Sequence, residues 1–168
     1  MARNVSLYGI LIATIVVLSL LVVIPVPATN GFVTLCDGGI YAVSLVFGPL
    51  AGFIVGGLSG GLIDLFSGYP QWMVFSFFIH GLQGWLVGHA KGKANPRQIL
   101  ALLLGCLVMM IGYFFATSLL YGYAAGWASI FGNSIQSGFG LFIGLPMSQL
   151  LQRALQSSHL RQKQSHHE

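Results

Sequence analysis

Two carboxylates and one imidazole, Asp37, Asp64 and His80, lie inside long apolar runs of this chain. Gln83 follows His80 by three residues, about one helical turn. Further on, Ser129, Asn133, Gln136 and Ser137 recur at helical spacing. Asn30, Thr34, Tyr69, Gln71, Trp72, Thr117 and Tyr121 add polar or amphipathic groups, and Phe32, Phe66, Phe75 and Trp127 add aromatic surface. Such a set can hydrogen-bond a small, flat, polar organic molecule against aromatic walls. It does not spell catalysis: there is no phosphate loop, no zinc-protease helix motif and no nucleophile elbow. Without a nucleotide-binding unit the chain does not draw on ATP by itself. Cys36 and Cys106 show no metal or redox spacing. The first is expected near the outer face and the second within a helix, so no disulfide is expected.

The elements that position these groups follow from charge. The chain has 168 residues, 55% hydrophobic and only 6% charged, whereas soluble domains carry about 25% charged residues. A single integral membrane domain is therefore expected. Its basic residues fall at Arg3, at Lys91, Lys93 and Arg97, and at Arg153, Arg161 and Lys163. Lys and Arg concentrate in short cytoplasmic loops, so both termini and the loop near residue 94 are expected in the cytoplasm. The basic excess then orients the chain and does not mark a nucleic-acid surface. The first apolar run is about 20 residues long, beyond the 7–15 of a signal h-region, and Pro-Val-Pro-Ala-Thr-Asn is a poor cleavage site, so it reads as a retained helix.

A span needs about 20 apolar residues. The run 36–67 is too long for one span, and parity between Arg3 and Lys91 requires that it cross twice, turning at Gly48-Pro49, a breaker pair. The expected fold is an all-α six-helix membrane bundle with helices near 5–24, 36–47, 49–66, 71–90, 98–121 and 127–155, a loop from 28 to 35 and a cytoplasmic tail over 156–168. This topology brings Asn30, Asp37, Asp64, Tyr69, Trp72, Thr117, Asn133 and Gln136 to the outer half, with Phe32, Phe66, Trp72, Phe75 and Trp127 as candidate walls. Each group has a packing alternative. Asp37 suits the N-cap of the second helix, where a carboxylate meets the positive end of the dipole, and this is the stronger reading. Asp64 can meet water at the membrane edge. The Asn and Gln side chains can bridge helices. His80 is either a functional intramembrane group or a neutral, hydrogen-bonded one. Gly48, Gly52, Gly56 and Gly60 recur every four residues and Gly57 pairs with Gly61, a close-packing ridge. A smaller version, Gly9-x-x-x-Ala13, lies on the first helix.

Gly31-Phe-Val-Thr-Leu-Cys-Asp37, Phe47-Gly-Pro49, Asp64-Leu-Phe-Ser-Gly-Tyr69, His80-Gly-Leu-Gln-Gly84 and Val87-Gly88, in this order, resemble the substrate-binding S components of energy-coupling factor (ECF) vitamin transporters. The resemblance spans about residues 1–155 and is nearest to the riboflavin-type S-component family, which includes pyridoxine and hydroxymethylpyrimidine members. It implies a six-helix, non-enzymatic protein in a bacterial plasma membrane, with no cofactor of its own. It implies capture of a vitamin from outside, in a pocket lidded by the first interhelical loop. It also implies a transmembrane T subunit and two ATP-binding A subunits as partners, with their ATP hydrolysis toppling the S component. Gly9 and Ala13 match the small-residue pattern that contacts the T subunit. Related sequences often carry Lys and Glu where this chain has His80 and Gln83. The missing cation disfavours a strongly anionic ligand and points to pyridoxine or hydroxymethylpyrimidine, with riboflavin or pantothenate as alternatives. Two further readings are a ligand-free membrane scaffold and a proton-coupled carrier. The absence of carboxylates on helices 4 to 6 argues against the carrier.

Overall fold

In a computed structural model, the backbone is described for residues 2–27 and 31–164, and side chains for 5–27 and 31–157. Among these residues six helices form: α1 (Ala2–Leu20), α2 (Cys36–Phe47), α3 (Pro49–Phe66), α4 (Met73–Gly88), α5 (Asn95–Tyr121) and α6 (Tyr123–Gln164). Two short strands, β1 (Ile24–Val26) and β2 (Gly31–Val33), pair antiparallel with Pro25 opposite Phe32.

Local sequence explains the breaks. Gly48 closes α2 at φ 96°, a conformation that L side chains rarely adopt, and Pro49 starts α3 at a position that needs no N–H donor. A 3-10 turn over Pro70–Trp72 leads into α4. Helix ends differ from expectation at several places, three of which change the architecture. The first helix ends at Leu20, and the segment with Pro25 and Pro27 forms a hairpin arm instead of continuing the helix. The 28–35 loop is in part the strand β2, which Phe32 and Val33 favour as aromatic and β-branched residues. The last helix continues to Gln164, because no glycine or proline interrupts residues 147–164.

α2 is the hub. It packs against α6, α3, α4 and α1, and Asp37, Ile40, Tyr41 and Leu45 on it are fully buried. α3 and α4 make the tightest pair, α5 lies against α4 and α6, and α1 rests on α3 and α2. The α3–α4 contact is made by backbone: a Cβ on Gly52 would collide with the Gly84 carbonyl, and one on Gly56 with the carbonyl of His80. The exterior remains apolar, with Ile10, Leu50, Phe78, Leu100, Leu119 and Phe142 exposed. α3 and α5 are long and apolar enough to cross a bilayer, while α1 and α2 carry shorter apolar stretches. Both cysteines are free.

Candidate functional site

The site lies where α3, α4, α5 and α6 diverge beneath the β-hairpin. Val26, Phe32, Val33 and Thr34 roof a cavity whose walls include Asp64 of α3, Trp72 and His80, Tyr113 and Thr117 of α5, and Ser129, Asn133 and Gln136 of α6. The cavity is narrow, with a volume of about 50 Å³, and opens to the outside. Small residues make the room. Gly60 lines the cavity, and a Cβ there would reach the His80 ring at 2.5 Å. Gly132 lines it as well, where even a Cβ would make only ordinary contact with Val33 and Val26 of the hairpin. At the rim, Phe32 packs at a tilt against Tyr69 at 5.1 Å between centroids, and Trp72 packs between Tyr113 and Tyr121, each at 5.9 Å.

The floor is a polar network centred on Asp37. Its Oδ2 accepts from Gln83 Nε2 at 3.1 Å and Ser137 Oγ at 3.3 Å, and its Oδ1 accepts from Gln136 Nε2 at 3.3 Å. Gln136 Oε1 in turn accepts the Thr34 backbone N–H at 2.6 Å, tying the hairpin root to the floor. Gln83 Nε2 also donates to Tyr41 Oη at 2.7 Å. A carboxylate accepts and does not donate, so the Gln83 amide nitrogen must face Asp37 and its oxygen must face His80. His80 Nδ1 lies 2.8 Å from Gln83 Oε1 and 3.6 Å from Asp37 Oδ1. Both neighbours are acceptors, so Nδ1 carries the hydrogen. Nε2 meets Tyr113 Oη at 3.1 Å, which meets Ser76 Oγ at 2.5 Å.

Of the residues expected at the site, Phe32, Asp64, Trp72, His80, Thr117, Asn133 and Gln136 line the cavity. Asp37 and Gln83 lie one layer deeper, and Tyr69 reaches the rim through Phe32. Asn30 is outside the described residues. The N-cap reading of Asp37 is overturned: Leu35 holds that position with no side-chain cap, and Asp37 turns inward to the donors of α4 and α6. Three expected walls do not line the cavity. Phe66 is 64% exposed, and Trp127 is 57% exposed and packs on Phe114. Phe75 supports Trp72 from the side and does not line the cavity. Sequence reasoning missed Tyr113 and Ser76, each four residues from an expected site residue and thus on the same helix face: Tyr113 before Thr117, Ser76 before His80. Helices α4 to α6 carry no carboxylate, but the fold sets Asp37 of α2 beside His80.

The described bundle is thus apolar outside and encloses a polar cavity under its hairpin. Residues 1–153 match the family described as ECF-type riboflavin transporter, S component, and the chain belongs to that family. Relatives include the "Thiamine precursor transporter HmpT" of Lactococcus lactis subsp. cremoris (strain MG1363), 36% identical over 152 residues, covering 90% of this chain and 89% of the relative. Another is the "Uncharacterized protein in gap 3'region" of Pyrococcus woesei, 35% identical over 143 residues, covering 84% and 96%. The protein is thus a transport component of the membrane and not an enzyme.

Proposed function

We propose that the chain captures a small vitamin or vitamin precursor for an ECF-type importer, with hydroxymethylpyrimidine or pyridoxine favoured over riboflavin and pantothenate. The observation that carries this reading is the roofed cavity, whose polar lining holds no lysine or arginine. The likeness to a thiamine precursor transporter supports the same size and charge of ligand. In this reading the domain crosses the plasma membrane six times with both termini cytoplasmic, and the hairpin faces outward. A T subunit and two ATP-binding A subunits drive toppling; ATP is theirs, and the chain itself uses no cofactor. Asn30, Phe32, Asp37, Asp64, Tyr69, Trp72, His80, Gln83, Thr117, Asn133 and Gln136 form the substrate site, some by contact and Asp37 and Gln83 by holding the floor.

Purified protein should bind one such ligand saturably, and mass spectrometry of the co-purified small molecule should identify it. Trp72→Ala and Asn133→Ala should each weaken binding by about 100-fold, since a buried aromatic and a convergent polar group both carry ligand contacts. Wild-type affinity in both variants would remove the cavity from consideration. No thermal stabilisation by any vitamin would favour the scaffold reading, because a ligand of the folded state raises stability.

Gly9 and Ala13 are assigned to the T-subunit contact. Both are exposed, and among the described residues no atom beyond the adjoining helix backbone lies within 4 Å of a Cβ built on Gly9. This leaves a shallow face for close helix approach in lipid. Gly9→Leu and Ala13→Leu should abolish co-purification of the T subunit while leaving ligand affinity within about twofold, the change being on a face remote from the cavity. An intact complex in both variants would refute the assignment.

A further inference from the structure

Cys36, Asp37 and His80 meet beneath the cavity, and all three are buried. Cys36 Sγ lies 3.4 Å from Asp37 Oδ1, and His80 Nδ1 lies 3.6 Å from the same oxygen. The three ligand atoms all fall within 4.8 Å of one another. Sulfur, oxygen and nitrogen ligands on one four-coordinate zinc ion stand roughly 3.4–3.6 Å apart, given metal–ligand bonds of about 2.0–2.3 Å. The side chains are therefore close to a ligand set before any ion arrives. No sequence motif announces it, because Cys36 and Asp37 open α2 whereas His80 sits in the middle of α4.

The charge on Asp37 gives a second, independent reason. Asp37 is fully buried, and among the described residues its ion-pair partner is His80, with no lysine or arginine reaching it. With a neutral imidazole, only neutral donors hold the carboxylate and nothing cancels its charge. An isolated buried carboxylate is costly. A divalent ion held by one thiolate and one carboxylate is electroneutral, so it removes that imbalance. The surroundings fit as well. Gln83 Nε2 and Ser137 Oγ fix Asp37 Oδ2, which leaves Oδ1 turned to Cys36 and His80. The far nitrogen of His80 meets Tyr113 Oη at 3.1 Å, and a metal-bound histidine uses its other ring N–H to hold an outer-shell acceptor. Cys36 and His80 both line the cavity, which gives an ion its way in.

We propose that Cys36, Asp37 and His80 bind a divalent ion of the zinc class, joining the start of α2 to α4 beneath the cavity. The mixed sulfur, nitrogen and oxygen set suits zinc or cobalt, and not magnesium or calcium, which take oxygen ligands. Binding releases the Cys36 thiol proton. The imidazole keeps its hydrogen, which passes from Nδ1 to Nε2 and points at Tyr113. Nδ1 then bonds the ion in place of Gln83 Oε1, and solvent from the cavity supplies the fourth ligand. The ion serves as a staple of the floor and not as a cofactor of transport. The site does not depend on the choice of vitamin, so its failure leaves vitamin capture standing.

The test uses the purified full chain in detergent, stripped of metal with a chelator that is then removed. Cobalt(II) is the probe and zinc(II) the competitor. Wild type should take up one cobalt ion with a sulfur-to-cobalt charge-transfer band in the near ultraviolet and the intense visible bands of a four-coordinate site. Zinc should erase both. Cys36→Ser should lose the charge-transfer band. Cys36→Ser and His80→Ala should each weaken zinc binding by about 100-fold or more, since even outer-shell changes cost about 10–100-fold. Cys106→Ser, whose thiol lies against Tyr41 and outside the set, should keep the band. Zinc should raise the melting temperature of wild type and leave that of Cys36→Ser unchanged. Metal-free melting curves check that the variants are folded, and the wild-type spectrum decides alone should one fail to fold. Folded wild type without a sulfur band would overturn the proposal. So would zinc affinity unchanged in both Cys36→Ser and His80→Ala, which would place the ion on the tail histidines His159, His166 and His167.

Discussion

Asp37→Leu is expected to lower the melting temperature of the detergent-solubilised protein by about 10 °C and to abolish ligand binding. Asp37 is fully buried and accepts from Gln83, Gln136 and Ser137, beside His80. Leucine has similar bulk but accepts nothing, so donors from α4 and α6 lose their common acceptor. Each buried neutral donor left without its acceptor costs about 1–3 kcal/mol, and for a chain of this size each kcal/mol shifts the melting point by about 2–4 °C. The loss of binding follows by a separate route. Gln136 lines the cavity and holds the hairpin root through Thr34, and its amide is itself oriented by Asp37. Without Asp37 that amide is held only by the Thr34 N–H and the Cys36 sulfur, which weakens both the wall and the roof. Differential scanning fluorimetry and calorimetry on the same sample check the two effects. A leucine variant with wild-type melting point and affinity would show that the network is dispensable.

Gly52→Ala is expected to cost about 3 kcal/mol, near the upper end for an overpacked core, and to halve or worse the yield of folded protein. The added methyl meets the Gly84 carbonyl and the Ser44 Oγ, at 2.6 Å for the latter. A side chain can step aside, but the Gly84 carbonyl is held within α4. The helices must part, and α4 carries His80, Gln83 and Ser76. The same separation pulls His80 from Asp37 and weakens ligand binding in the fraction that folds. Gly138→Ala is the matched control, since nothing lies within 4 Å of a Cβ there and its helical backbone accepts alanine. Equal melting points for the two variants would refute the packing argument. Loss in Gly52→Ala alone would support it.

The break between α2 and α3 was legible because two adjacent residues encode it, a glycine that adopts φ 96° and a proline at the helix start. The glycine ridge was legible as a packing face because its four-residue spacing depends on helix geometry alone. The hairpin was not, since Pro25 and Pro27 announce only that a helix stops, and strand pairing depends on a partner several residues away. The inward turn of Asp37 was hidden for a related reason. A carboxylate in a first helical turn suits a cap by local rules, and only the approach of α4 and α6 supplies stronger donors. Phe66 and Trp127 show the reverse limit. Aromatic residues at an outer edge suit a pocket wall or a lipid interface equally by composition, and which way they point depends on helix rotation, which spacing does not give.

The last helix is longer than one crossing needs. Its 42 residues would span about 63 Å at 1.5 Å per residue if straight, against a hydrocarbon layer of about 30 Å. Pro146 stands inside it and removes one backbone donor from the ladder. The helix is therefore two segments that share a joint: one is tied to the floor of the cavity through Gln136 and Ser137, and the other carries Arg153. A bend at that joint uncouples the far end from the floor, so labels on the two segments report separate motions.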